Sequence, residues 1–224
     1  NAGILSRVVD KLPDDLPVLI LPMQAVGKSV EHTEYPGTLT LSYETLARVW
    51  YEIGESVYRA GCRKIVFANS HGGQPQVMEI VCRELRVKLG MFAVSSRATA
   101  GADISDLFDA QEMMHGIHGG EYETSALLAL HPDLVDMQHA DDFVPISVEM
   151  ERNNQILTPE GGIGYGWQTQ DIHPSGACGN AAAADAKRGE IALDRSAERF
   201  VALLREVADF PLDRITSKTM FNDA

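Results

Sequence analysis

Lys64-Ile65-Val66-Phe67-Ala68-Asn69-Ser70-His71-Gly72-Gly73 is the stretch that decides the fold of this 224-residue chain. Its first half, Lys64 to Ala68, is a short apolar run that reads as a buried strand. Its second half puts an imidazole on a turn that two glycines can tighten. Just upstream, Ser42 is an N-cap for a helix whose apolar stripe is Leu46, Val49, Trp50, Ile53 and Val57 and which stops at Gly61. Downstream, a second helix over about Gln76 to Leu89 ends at Gly90, and Met91 to Ser95 is the next strand. Helix, strand, loop, helix, strand is the order of a doubly wound sheet, so the expected class is α/β, three layers α/β/α with a mostly parallel central sheet. Ligands of such sheets bind at the carboxyl ends of the strands, where His71 falls.

Outward from this unit, Ala2 to Leu12 carries Ile4, Leu5, Val8, Val9 and Leu12 at helical spacing. Pro17-Val18-Leu19-Ile20-Leu21-Pro22 is almost wholly apolar and predicts a strand buried on both faces. Short helices are expected over Ala102 to Gln111 and Glu121 to Leu130, the second stopped by His131-Pro132. Residues 140 to 180 show little periodicity and read as a functional loop or an oligomer contact. A long mixed-charge helix closes the chain from about Ala181 to Ala208. Residues 1–224 read as a single domain.

The formal charge of −13 argues against a nucleic-acid partner, which would need clustered Lys and Arg. No run approaches the ~18 apolar residues of a membrane span, and no charged head with an apolar stretch after it stands at Asn1, so neither a membrane span nor a signal peptide is expected within these residues. Cys62, Cys82 and Cys178 form no C-x-x-C motif and suit reduced thiols in a cytoplasm.

Two corners carry candidate chemistry. His71 with Gly72 and Gly73 can be a capped turn whose histidine merely bonds a carbonyl, but its place at a strand end favours a functional reading. The second corner is His118-Gly119-Gly120-Glu121-Tyr122-Glu123-Thr124-Ser125. If its helix begins near Gly119, His118 and Glu121 share a side and Glu123 points away. Acidic residues at a helix start are common and explain Glu121 and Glu123 without function, but they do not explain His118-Gly119-Gly120. Together the corners suggest a metal site. Gly161 to Gly166 lacks the G-x-G-x-x-G spacing, and neither Walker A nor G-x-S-x-G occurs. His32, His115 and His173 read as surface or loop histidines, with Trp167 and His173 kept as pocket candidates.

In this order, about fifty residues apart, the corners resemble the creatininase (creatinine amidohydrolase) family, with its N-G-H-G-G-N strand end and H-A-G-E-x-E-T-S helix start. The likeness extends to Val26-Gly27-Lys28-Ser29, Tyr35-Pro36-Gly37-Thr38 and Leu130-His131-Pro132-Asp133-Leu134-Val135. It implies a hydrolase of carbon–nitrogen bonds in a small amide or cyclic amide, in which a binuclear Zn²⁺ or Mn²⁺ centre activates water. It further implies His71 and Glu121 as metal ligands, His118 as a catalytic histidine that either supports a ligand from behind or transfers the proton, and Ser29, Gly72, Gly73 and Trp167 beside the substrate. A cytoplasmic homo-oligomer is implied, a hexamer among the assemblies allowed. Met114 and His115 stand where creatininase has its substrate-gripping tryptophan and aspartate, so the expected member is one other than creatininase itself. The family's opening E-x-H pair and bridging aspartate, with the strand before them, are not found in these 224 residues. The rival expectation is a non-catalytic binding or assembly subunit with an incomplete metal site.

Overall fold

A computed structural model describes residues 1–221. Its contacts group into two compact units, Asn1–Lys28 with Thr40–Ala100 and Ala197–Ala224, and Ser29–Leu39 with Gly101–Ser196.

The first unit is built on the stretch quoted above. Helices α1 (Ala2–Lys11) and α2 (Tyr43–Arg59) precede β1 (Lys64–Asn69), α3 (Pro75–Leu89) and β2 (Phe92–Arg97). Ser42 caps α2 as expected, its hydroxyl accepting from the Thr45 amide at 3.2 Å. Pro75 occupies the first turn of α3, where its missing N–H costs nothing, and Gly90 ends that helix at φ 67. β1 and β2 pair in parallel, Lys64 opposite Phe92 through Asn69 opposite Arg97. The intervening α3 is thus a βαβ crossover, and the α/β class holds. Val81, Leu85 and Met91 form the buried centre, with Trp50, Val57, Ile65 and Phe67 packed around them.

Pro17–Pro22 departs from expectation. It forms no strand, and Leu19 is 88% exposed. The parallel sheet of the described residues has two strands, β1 and β2. Apolar content makes a run compatible with a buried strand, but a strand also needs a ladder partner, and the prolines at both ends donate no N–H.

In the second unit, α4 (Ala110–His115) begins eight residues later than the expected Ala102 start, because Asp109 is the cap that accepts from the Gln111 amide. Helix α5 (Glu121–Leu130) has the expected bounds. The segment expected to be irregular contains β3 (Asp142–Phe143), α6 (Ile146–Asn153), α7 (Thr169–Ile172) and β4 (Gly179–Asn180). Strands β3 and β4 pair antiparallel. The last helix, α8, runs over Ala186–Asp209. Ile104, Phe108 and Ala192 are buried together, with Leu107 and Tyr122 against them.

Gly189 of α8 lies against the backbone of α5, where an added Cβ would stand 2.0 Å from the Ser125 carbonyl oxygen. Backbone cannot step aside as a side chain can, so Gly189→Ala should destabilise the protein by about 3 kcal/mol in urea unfolding. Gly54→Ala in α2 is the control. Its Cβ meets both methyls of the buried Leu85 side chain, at 2.6 and 2.7 Å; a side chain can shift where backbone cannot and alanine gains helix propensity, so the loss should be smaller, about 1–2 kcal/mol.

Candidate active site

The His71 corner is held by the amide of Asn69, the buried last residue of β1. Asn69 Nδ2 donates to the His71 carbonyl at 2.7 Å, and Asn69 Oδ1 accepts from the His71 amide at 3.1 Å and from Gln74 Nε2 at 2.8 Å. Gln74 Oε1 in turn accepts from the Lys28 amide at 2.9 Å, while Lys28 Nζ donates to the Gly73 carbonyl at 2.8 Å. The strand end, the glycine turn and the Gly27–Lys28 loop are therefore one hydrogen-bonded piece. His71 is half-buried on it, Gly72 is exposed and Gly73 half-buried.

The second corner lies in the second unit. His118 bridges Cys178 through two backbone hydrogen bonds, amide to carbonyl at 3.3 Å and the reverse at 2.6 Å. Gly119 then turns at φ 63, a conformation that favours glycine, and Gly120 becomes the N-cap of α5. The helix starts at Glu121 rather than Gly119, which changes the expected phase. Glu123, at the third helical position, folds back so that its Oε2 accepts from the Gly119 amide at 2.7 Å and lies 3.8 Å from His118 Nδ1. The carboxylate beside His118 is thus that of Glu123, which helical spacing from Gly119 had pointed elsewhere.

Glu121 is buried, 6% exposed, and its Oε1 is bonded by Arg188. Arg188 also donates to the carbonyls of Leu107 at 3.0 Å and Ala183 at 2.5 Å and lies over the Phe108 ring at 5.4 Å. The guanidinium supplies the partner that a carboxylate taken out of water requires.

Glu112 organises the corner. Its Oε1 accepts from the Glu121 amide at 2.6 Å and its Oε2 from the Asn180 amide at 2.9 Å. A Cβ added to Gly116, Gly120 or Gly179 would come within 2.3, 2.2 and 2.6 Å of Glu112 Oε1. Three glycines therefore make room for one carboxylate. No motif spacing marks Glu112 in the sequence.

Of the other expected residues, Ser29 caps the short turn Val30–His32 and its hydroxyl donates to the buried Glu31 carboxylate at 3.3 Å. Trp167 donates its indole N–H to the Pro159 carbonyl at 3.1 Å. His32 and His115 are not plain surface histidines. The His32 ring packs against His118 with centroids 4.4 Å apart. His115 is buried, bonded to Ser147 at 3.0 Å and Glu151 at 3.1 Å, and ties α4 to α6. It borders, with Glu112, Glu121, Val144, Pro145 and Val148, a cleft of about 330 Å³.

Cys178 adjoins His118 in the backbone, but burial, and next the Glu160 charge, push its thiol up to about 11. It is protonated at neutral pH, which removes it as a nucleophile partnered by His118. Among the described residues no three His, Cys, Asp or Glu side chains converge as a metal site. Imidazole and carboxylate are donors that Zn²⁺ and Mn²⁺ accept, so His71 and Glu121 fit in kind. Two donors are fewer than the four usual around zinc, and one oxygen of Glu121 already answers Arg188.

A βαβ unit and two glycine-flanked histidine corners define an α/β fold: a solved structure described as creatininase Mn superimposes with a TM-score of 0.68 over 92% of this chain and 80% of its own, at 22% identity. The chain belongs to the creatininase family, whose model, described as creatinine amidohydrolase, matches residues 2–204. A mycofactocin precursor peptide peptidase of Mycobacterium ulcerans is 31% identical over 133 residues, 58% of this chain and 47% of that protein. The creatinine amidohydrolase of Pseudomonas putida is 28% identical over 163 residues, 65% of this chain and 63% of that enzyme. The chain thus matches between about half and just under two thirds of the length of these relatives.

Glu112→Gln retains shape but sets an amide N–H₂ against a backbone N–H, leaving one donor unpaired. It should cost about 2 kcal/mol in stability and raise hydrogen exchange at Glu121 and Asn180. Of the three thiols, exposed Cys62 should react with Ellman's reagent in the folded protein and Cys82 and Cys178 only in denaturant, since burial raises Cys82 also to about 11.

Proposed function

We propose that this chain is a metal-dependent hydrolase of carbon–nitrogen bonds in amides, working in a cytoplasmic homo-oligomer. The observation that carries the reading is the His118 corner. There a half-exposed imidazole stands beside the Glu123 carboxylate on a turn clamped by Glu112. Membership of the creatininase family supports the same chemistry.

In this reading His71 and Glu121 are ligands of Zn²⁺ or Mn²⁺, two ions in the binuclear form that the family implies. When bound, the metal supplies Lewis-acid polarisation of the amide carbonyl and makes water a stronger acid. The rest is done by side chains and backbone. His118 takes a proton from the attacking water and delivers it to the departing nitrogen, which must leave as an amine because an amide anion is too basic. Glu123 stands beside the ring, 3.8 Å from Nδ1, through both transfers. The amides of Gly72 and Gly73, unencumbered by side chains, are suited to approach the substrate closely, with Ser29 and Trp167 bounding its pocket.

Substrate class has two candidates. A small or cyclic amide follows from the Pseudomonas putida relative, described as a creatinine amidohydrolase, and a peptide from the Mycobacterium ulcerans relative, described as a peptidase. The hold of Arg188 on Glu121 favours a second reading, a non-catalytic subunit of the same fold with an incomplete metal site.

Metal analysis after gentle purification, with and without added Zn²⁺ or Mn²⁺, separates the readings: bound transition metal supports the enzyme, and none after loading supports the subunit. His71→Ala should reduce metal occupancy while the circular dichroism spectrum is unchanged. His118→Ala should spare the metal and lower turnover roughly 10²- to 10⁴-fold on creatinine, formamide or a short peptide, whichever is cleaved. Unchanged turnover in His118→Ala would remove it from the chemistry.

A further inference from the structure

His32, which the sequence suggested was a loop histidine, lies in the second unit with His118, and its ring faces the His118 ring at 4.4 Å with an interplanar angle of 48°. Its own orientation is fixed from behind. Buried Thr169, the first residue of α7, places Oγ1 at 3.0 Å from the Glu31 carbonyl and 2.8 Å from His32 Nδ1. A hydroxyl has one proton, and a carbonyl can only accept. The proton of Thr169 therefore goes to the Glu31 carbonyl, and Thr169 Oγ1 accepts from His32. That assigns the proton of neutral His32 to Nδ1 and the lone pair to Nε2, the reverse of the form a free imidazole prefers. A histidine whose Nδ1–H is spent on a buried acceptor has both ring plane and tautomer set, as in sites where the far nitrogen or the ring face does the work.

His118 needs such a neighbour. Its main chain is fixed by the bridge to Cys178, but its side chain is 47% exposed and its Nδ1 is 3.8 Å from Glu123, beyond a hydrogen bond. A half-exposed imidazole without a short hydrogen bond to that carboxylate samples several rotamers unless something packs on its face. His32 is that surface. We propose that His32 is a positioning residue for His118, with the Thr169 hydroxyl as the anchor that fixes the His32 ring and tautomer. The catalytic consequence rests on the reading of His118 as the proton-transferring group; the ring arrangement does not.

The test uses the full chain labelled with ¹⁵N and long-range ¹H–¹⁵N correlation spectra of the histidine rings, which separate the Nδ1–H form from the Nε2–H form. His32 should show the Nδ1–H pattern. Thr169→Val, nearly isosteric but without the hydroxyl, should lose that pattern and shift the His118 ring resonances, and Thr169→Ser should restore both. His32→Ala should shift the His118 resonances at least as far, and provides the result if Thr169→Val fails to fold. On any amide that the parent cleaves, kcat should fall roughly 2- to 10-fold in Thr169→Val and His32→Ala at nearly constant KM, the range by which a ring pair biases orientation, with Thr169→Ser recovering it. The Nε2–H form of His32 in the parent, or His118 resonances indifferent to both Thr169→Val and His32→Ala, overturns the proposal. Those ring readouts need no substrate, so their failure leaves the hydrolase reading standing. Absence of turnover on every amide, with the ring readouts as expected, overturns that reading alone.

Discussion

Both oxygens of Glu112 are taken by backbone N–H groups, one from the first residue of α5 and one from β4, in a space that three glycines leave open. A charged acceptor of this kind is worth more than a neutral one, about 1.5–3 kcal/mol per hydrogen bond. Its larger role is geometric. The Glu121 amide is one of the orphan donors at the start of α5, and no side chain of the N-cap residue, a glycine, can answer it. Glu112 answers it from another helix, which fixes where α5 begins. The beginning of α5 sets the phase of Glu121 and Glu123, and the turn before it sets the backbone of His118. One carboxylate therefore fixes the register of the corner to which the chemistry is proposed to belong.

That register explains what the sequence disclosed and what it did not. The βαβ unit was legible because each of its signals is local: the apolar run of β1, the Ser42 cap, the glycines after α2 and α3. Helix α5 was also found with its bounds. The orientation of its carboxylates was not, since spacing was counted from Gly119, whereas the left-handed turn there breaks the helical phase between His118 and Glu121. Pro17–Pro22 failed for a different reason. Hydrophobicity says that a run can be buried, but pairing is decided by residues elsewhere in the chain. Glu112, His32 and Arg188 have no periodic or motif signature at all, because each acts on residues tens of positions away.

The two glutamates of the second corner stand in opposite surroundings. Glu121 is inside, bound to a guanidinium that is itself held by two carbonyls and an aromatic face. Glu123 is at the surface, against His118 and the Gly119 amide. Removing either partner of a buried ion pair strands a charge, so a ligand role for Glu121 has to proceed with Arg188 still present and use the second carboxylate oxygen. An exposed carboxylate such as Glu123 has no such constraint.

The same contrast of fixed and free groups runs through the histidines. His115 is buried with a partner for each ring nitrogen, which suits a joint between α4 and α6. His118 is half exposed, and the constraints on its ring are a packed face and a carboxylate slightly too far for a hydrogen bond. For His115 to exchange a proton with a substrate it would have to break one of these bonds inside a buried joint, whereas the half-exposed His118 ring is open to solvent. What suits His118 to the proposed proton transfer is an accessible ring on a backbone that the bridge to Cys178 and the Glu112 clamp hold still.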